Sequence, residues 1–188
     1  MARPRSETAR QRLLAAAVKI LVVDGVASCT ADEVARRSGV AKTTLYRHFG
    51  TIEALVFAVV EANVSATEAP DTGSLRGDLA EIHRRYLDMA GPQPARELFV
   101  WMVSKAIDDP TYREMFKKAR VQPRGPTVIA LQRAIARGEI DPGIDIEAAM
   151  HIIQGPLISQ RIVDNSAVTD RELETMLDMI TRALTAGP

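Results

Sequence analysis

Six hydrogen-bond donors are concentrated in one seven-residue stretch of the chain, interrupted only by Leu45. They are Lys42, Thr43, Thr44, Tyr46, Arg47 and His48. In an α-helix this spacing turns Leu45 inward and the donors outward, and the stretch contains no acid. An exposed helix face of this kind can donate to phosphate oxygens and to the acceptor edges of bases in a major groove.

The surrounding residues 30–49 predict two short helices joined by a tight turn. Thr30 with Glu33 is the pattern of a capping box, so the first helix should begin there and end at Ser38-Gly39. Glycine adopts the left-handed conformation that such a turn needs. A small shared core would come from Val34, Val40, Leu45 and Phe49. The stretch therefore predicts a helix-turn-helix, the alternative being an ordinary helix pair with a solvated basic face.

Helical spacing, separated by Gly and Pro, continues through the rest of the chain, and no segment alternates like a strand. Asp109-Pro110 should begin one helix, Gly138 should end another, and Thr169 with Glu172 is a second capping box. The predicted helices cover about 6–23, 30–38, 42–48, 51–68, 75–90, 94–107, 110–120, 124–137, 146–163 and 170–185. The sequence therefore predicts an all-α fold.

The segment 69–74 (APDTGS) breaks this helical pattern and predicts two domains. The first is a three-helix head, residues 1–50, linked by a helix over 51–68, and the second is a helical body, residues 69–188. The net charge of zero conceals a difference between the ends of the chain. Residues 1–50 hold nine Lys or Arg and four acids, a net of +5, and the remainder carries −5. A basic head on an acidic body would approach phosphates by one end.

Composition limits the other classes of function. The longest apolar run, Leu55 to Val60, is far shorter than the roughly 20 residues that cross a bilayer, so no membrane role is expected. The single cysteine, Cys29, excludes an intramolecular disulfide and predicts a packing role rather than a redox one. We expect a cytoplasmic protein, because no apolar signal core follows the basic N-terminus.

An enzyme is the main rival class. The three histidines, His48, His83 and His151, are widely spaced and have no Cys or carboxylate at metal-ligand spacing. Neither a phosphate-binding glycine loop nor a nucleophile motif is present. The sequence therefore predicts no catalytic residue, no metal and no cofactor.

The head resembles the TetR family of bacterial transcriptional regulators. The matching residues are Thr30, Val34-Ala35, Ser38-Gly39-Val40, Lys42, Thr44-Leu45-Tyr46, His48-Phe49 and Glu53-Ala54-Leu55. The body resembles the family in length, in helix count and in Gly155-Pro156. The resemblance implies a sequence-specific regulator, a repressor that a small, largely apolar ligand releases from a palindromic operator. The alternative is a helical ligand-binding or protein-interaction module without operator specificity, which would lack a steep dependence of affinity on salt.

The resemblance also implies roles for individual DNA-binding residues. Lys42, Thr43 and Arg47 would face base edges in double-stranded DNA. Phosphate contacts would come from Thr30, Thr44, Tyr46 and His48. Arg3 and Arg5 would either reach a minor groove as a flexible arm or have no role.

Two positions depart from the family pattern. Ala41 stands where the family usually has a Ser or Thr cap, so about 1 kcal/mol of capping should be missing. Ile52 stands where a lysine is usual, which removes one expected phosphate contact.

A homodimer is implied as well, since family members bind paired half-sites. The segment 146–163 is apolar over more than one face, as a helix buried on two sides would be. The predicted interface residues are Ile153, Leu157, Ile158, Arg161, Leu173, Leu177, Ile180 and Leu184. The alternative is that these residues form the core of a single chain.

Five of the eight aromatic residues fall between positions 86 and 116, where family members surround a ligand cavity. Aromatics with flexible methionines suit a roomy apolar pocket, although an ordinary core has the same composition. The residues implied for the ligand, an effector of unknown identity, are His83, Tyr86, Met89, Phe99, Trp101, Met102, Tyr112, Phe116 and Gln154.

Overall fold

The computed structural model describes the backbone of residues 3–63, 68–89 and 93–185, and their side chains except those of 3–6, 63, 89, 93 and 120–123. All regular structure in these residues is helical, which confirms the predicted all-α fold. The helices are α1 (Arg3–Val23), α2 (Ala31–Ser38), α3 (Lys42–Phe49), α4 (Ile52–Asn63), α5 (Leu75–Met89), α6 (Gln93–Asp108), α7 (Pro110–Ala136), α8 (Ile146–Ile158) and α9 (Asp170–Thr185).

The chain divides into two compact units. The N-terminal unit comprises residues 1–65 and 90–122, and the C-terminal unit comprises residues 66–89 and 123–188. Helices α1 to α4 and α6 therefore lie in the N-terminal unit, α5, α8 and α9 lie in the C-terminal unit, and α7 contributes one half to each.

The core of the N-terminal unit is built where α1 crosses the three short helices that follow it. Its buried residues are Leu13, Ala17, Ile20, Leu21, Cys29, Val34, Val40, Leu45, Leu55, Val56 and Val59. Enclosing a leucine such as Leu45 contributes roughly 1.5–3 kcal/mol, so this core fixes the position of α3. Cys29 packs within it as expected, and burial raises the pKa of its thiol to about 11.

The core of the C-terminal unit joins α5, the second half of α7, α8 and α9. Its buried side chains include Leu75, Leu79, Leu131, Ala134, Ile140, Met150, Ile153, Leu173, Leu177, Ile180 and Leu184. The apolar stripe predicted on the last helix therefore faces the interior of its own unit.

Several predicted helices have different boundaries in the structure. The two helices predicted at 110–120 and 124–137 are one helix, α7, which continues through Pro123 and Pro126. A proline removes one backbone donor but does not by itself end a helix, and here Pro126 and Thr127 are buried by packing. Helix α4 is described as far as Asn63, and its predicted continuation over 64–67 lies outside the described residues. Helix α8 changes at Ser159 into a π-helical turn that ends at Val163.

The predicted helix ends are mostly confirmed. Thr169 and Glu172 form a reciprocal capping box at α9, in which each backbone N–H donates to the other residue's side chain. Asp109 accepts from the Thr111 amide at 2.7 Å, and Gly138 has the positive φ of a helix C-terminus. The box predicted at α2 forms only in part, because Glu33 is drawn away to arginines on its own helix.

Candidate nucleic-acid interface

The helix-turn-helix forms where the sequence predicts it. The Thr30 hydroxyl accepts from the Glu33 amide at 3.2 Å and begins α2, and Gly39 ends this helix in the left-handed conformation, with a φ of 63°. In the turn, the Val40 amide donates to the Ser38 hydroxyl at 3.2 Å. Leu45 is fully enclosed, so it anchors α3 and sets which residues face outward.

The donors of α3 divide into exposed and half-buried sets. Lys42, Thr43, Tyr46 and Arg47 are exposed, whereas Thr44 and His48 are half-buried at the edges of the helix. The predicted face therefore exists, and its exposed donors are the three residues expected at base edges together with Tyr46, which was expected at a phosphate. As the sequence indicated, Ala41 gives α3 no side-chain cap.

One feature of this surface corrects the expectation of donors without acids. The Lys42 ammonium forms an ion pair with the carboxylate of Asp32 in the first turn of α2. Helix α3 itself contains no acid, but the turn brings the beginnings of the two helices together, so an acid ten positions away reaches the lysine. The spacing of Asp32 and Lys42 on either side of the predicted turn was the signal that the sequence offered for this ion pair. It was missed because only the residues of α3 were considered.

The arginines of α2 are also paired with acids. Glu33 accepts from Arg36 at 2.8 Å, and Arg37 binds both Glu33 and Asp24. Hydrogen bonds from Arg36 and then Arg37 lower the pKa of Glu33 to about 2. Two of the nine basic side chains of residues 1–50 are thus paired with acids of the same unit, and the net charge of +5 already includes these acids.

The end of α3 and the beginning of α4 are held by contacts with α1 and α7. The Arg10 guanidinium lies 5.7 Å from the centre of the Phe49 ring, a cation–π contact between α1 and the end of α3. The Thr51 hydroxyl caps α4 by accepting from the Ala54 amide, and the Tyr112 hydroxyl approaches Thr51 Oγ1 at 3.2 Å. Ile52 is half-buried against the core of the same unit.

Comparison with known proteins finds two family models that match this sequence and together cover most of the chain. The model described as "Bacterial regulatory proteins, tetR family" matches residues 13–59, and the model described as "Tetracyclin repressor-like, C-terminal domain" matches residues 69–180. The chain belongs to the TetR family. It is therefore a DNA-binding transcriptional regulator, and the predicted family is confirmed.

Individual relatives agree with this assignment. A Mycobacteroides abscessus protein named "DNA-binding transcriptional repressor TetR" is 27% identical over 178 residues, which cover 93% of this chain and 92% of that protein. The Bacillus subtilis HTH-type transcriptional regulator YdeS is 26% identical, with 89% of this chain and 85% of that protein covered. The crystal structure of the TetR family transcription regulator SCO0332 matches with a TM-score of 0.74 and 26% identity over 96% of this chain and 99% of that one.

Several residues implied for a ligand by TetR-family resemblance pack around α4 within the N-terminal unit. The Phe57 ring stacks on Tyr112 with centroids 5.9 Å apart and lies 6.0 Å from Trp101, while Met102 is buried beside it. Phe99 and Phe116 form a second ring pair at 6.0 Å. This packing favours the ordinary-core alternative for these residues, and their contact with a ligand stays a prediction.

The remaining predicted ligand residues belong to the C-terminal unit or lie outside the described side chains. His83 is buried, with Nδ1 2.6 Å from the Leu79 carbonyl and Nε2 3.4 Å from the Ile153 carbonyl. Burial lowers its pKa, which favours a neutral ring. Tyr86 is exposed beneath the Arg161 guanidinium, and Gln154 is half-buried. Met89 lies outside the described side chains.

The sequence did not indicate an open polar cavity in the C-terminal unit. This cavity, of about 410 Å³, is lined by Glu68, Ala69, Pro70, Asp71, Arg85 and Arg133. Arg133 donates to the Pro70 carbonyl at 2.9 Å, and Arg85 donates to the Glu68 carbonyl at 3.2 Å. The two arginines therefore hold the backbone that follows the predicted linking helix.

Most of the residues predicted for the dimer interface are buried within a single chain, and their contact with a partner stays a prediction. The six buried residues are Ile153, Leu157, Leu173, Leu177, Ile180 and Leu184. Apolar periodicity identifies a buried face but does not distinguish an internal partner from an external one. Ile158 and Arg161 are only half-buried.

Proposed function

We propose that α3 is the recognition helix of an operator-binding repressor. The observation that carries this proposal is the exposed face of α3, which presents donors around the enclosed Leu45. Lys42, Thr43 and Arg47 contact base edges, because they lie exposed on the first part and outer face of the helix. Phosphate contacts come from Thr30, Thr44, Tyr46 and His48.

We propose that the repressor is a homodimer on a palindromic operator, since one short helix contacts only a few base pairs. The support is an outward strip of α8 and its π-helical extension that contains no charge. Ile152 is 46% exposed and Val163 is 75% exposed, with the small residues Gly155 and Ser159 between them. Small residues allow two helices to approach closely, and exposed Met179 on α9 adds apolar surface.

A small, largely apolar effector is proposed to control DNA binding. A ligand that binds one conformation of the dimer better than another shifts the population towards it, and the affinity for the operator then falls. The apolar class of the ligand is proposed from the family resemblance and from the aromatic and methionine composition of residues 86–116. We propose that the protein acts in the cytoplasm, without enzymatic activity or cofactor. No described helix is long and apolar enough to cross a membrane.

Operator binding tests the recognition helix. Lys42→Ala combined with Tyr46→Ala should remove more than about 90% of operator binding at physiological salt, since a base contact and a phosphate contact are lost together. Both side chains are exposed, so circular dichroism should show an unchanged fold. Lys117→Ala is the matched control, because Lys117 pairs with Glu114 on α7 and not with α3. Unchanged operator affinity in the double variant would contradict the assignment.

Sedimentation equilibrium tests the proposed dimer surface. Ile152→Glu places a charge in the outward strip of α8 and should convert dimers to monomers. Ile107→Glu is the control, since Ile107 is 68% exposed on α6 and lies outside the strip. An undisturbed dimer in the Ile152 variant would show that this strip does not face a partner.

A further inference from the structure

The ion pair between Lys42 and Asp32 occupies the beginning of the proposed recognition helix. Lys42 is the first residue of α3, and Asp32 lies in the first turn of α2. The Asp32 side chain is 79% exposed and that of Lys42 is 48% exposed. A carboxylate is therefore held in solvent on the surface that DNA would approach.

The neighbouring acids of this unit have a different arrangement. Glu33 pairs with Arg36 and Arg37 of its own helix, and Asp24 also pairs with Arg37. These pairs involve arginines that are not proposed to contact DNA. Asp32 instead pairs across the turn with a proposed base-contacting residue, so DNA and Asp32 compete for the same ammonium group.

Such a competition weakens binding to all DNA, but not equally. A solvent-exposed ion pair contributes little stability and can be exchanged. On non-operator DNA, Lys42 would gain a phosphate while leaving Asp32 unpaired beside other phosphates. On an operator, the O6 and N7 acceptors of guanine offer a better-defined partner. Specificity is the difference between the two affinities, so an acid that penalises the wrong DNA more increases it.

We propose that Asp32 is a specificity-determining residue, which retains Lys42 on non-operator DNA and releases it to a guanine of the operator. The inference rests on the proposed role of α3 in operator recognition. Asp32 acts through Lys42 and is therefore a positioning residue, which predicts an effect on salt dependence and on specificity rather than on folding.

The test compares Asp32→Asn with the wild type on two duplexes, one selected by the wild type from a random pool and one with the same bases scrambled. In the variant, affinity for the scrambled duplex should rise about three- to tenfold, and the slope of log affinity against log salt should steepen by about 0.9 as Lys42 gains a phosphate. Affinity for the selected duplex should rise less. Asp24→Asn is the control, since it removes an equal charge from the Arg37 pair.

The same change made in a Lys42→Met variant tests whether Asp32 acts through Lys42. In Lys42→Met, the Asp32→Asn change should no longer steepen the salt slope, because no lysine is released. Equal gains on both duplexes, an unchanged slope, or the same gains in Asp24→Asn would overturn the inference about Asp32. A wild-type chain that binds selected and scrambled duplexes equally would instead overturn the proposed recognition helix. Circular dichroism should report the same helix content in every variant.

Discussion

The ion pairs on α2 of the N-terminal unit and those between α5 and α9 of the C-terminal unit join different kinds of partner. On α2 of the N-terminal unit, Arg36 and Arg37 pair with Glu33, three and four positions away. In the C-terminal unit, Arg76 of α5 reaches Glu174 and Asp178 of α9 at 2.6 Å and 2.7 Å, about a hundred positions along the chain. The first set shapes a surface, whereas the second connects two helices of a core.

This difference explains how each unit can serve its part of the function. Breaking a local ion pair on the surface proposed to face DNA should leave the helix positions unchanged, so the proposed exchange of an acid for DNA at Lys42 needs no loss of fold. Pairs between α5 and α9 instead add to the packing of Leu79, Leu173 and Leu177. In both units the apolar core supplies most of the stability, because exposed pairs are screened by solvent.

Removal of one enclosed leucine from each core should give the largest effects. Leu45→Ala and Leu177→Ala should each cost about 2–5 kcal/mol of unfolding free energy, since both side chains are fully buried. Trp101, the single tryptophan, belongs to the N-terminal unit, so its fluorescence follows that unit during urea unfolding. Leu45→Ala should shift this signal and abolish operator binding. A loss of unfolding free energy below about 1 kcal/mol at either position would contradict the claim that each unit depends on its apolar core for stability.

Substitution of alanine at two glycines, one in each unit, should have an intermediate effect on stability. Gly39 and Gly138 both have positive φ, at 63° and 74°, so alanine should cost roughly 1–2 kcal/mol at each. A Cβ at Gly39 would also lie 2.7 Å from Arg12 Nη2, while nothing lies within 4 Å at Gly138. Arg12 Nη2 is the far end of a flexible side chain and can move aside, so thermal unfolding should show losses of similar size for the two variants. A clearly greater loss for Gly39→Ala would contradict this and would mean that Arg12 is held in place.

Acid titration should reveal the smallest effect, that of the local pairs on α2. The folded-state pKa of Glu33 is lowered from 4.5 to about 2, so its ionised form stabilises the fold above pH 4.5, and this stabilisation is lost as the pH falls towards 2. Wild type should be more stable than Glu33→Gln above pH 4.5, and the difference should disappear near pH 2. A difference that grows on acidification would contradict the lowered pKa.

Local patterns predicted the N-terminal unit well because its structure depends on neighbours in sequence. The helix ends at Thr30 and Gly39, and the inward turn of Leu45, follow from capping, backbone freedom and helical spacing. The contact that the sequence analysis missed, between Asp32 and Lys42, depends on how two helices are oriented across the turn. Periodicity within one helix carries no such information.

In the C-terminal unit, the same reasoning identified buried positions without their partners. Leu173, Leu177 and Ile180 were correctly recognised as an apolar stripe, and the stripe packs against α5 and α8 of its own unit. The prolines at 123 and 126 also suggested a break that packing overrides. These outcomes depend on tertiary contacts between distant segments, which the local pattern does not contain.

The base preferences of two variants test the central claim, that α3 contacts both bases and phosphates, most directly. Binding is measured to the selected operator and to every single base-pair change within it. Arg47→Ala should lose preference at one position of each half-site, a loss of about 1–3 kcal/mol of discrimination, whereas Tyr46→Phe should weaken all sequences alike. If Arg47→Ala weakened every sequence equally and left all base preferences intact, α3 would not be the element that recognises the operator.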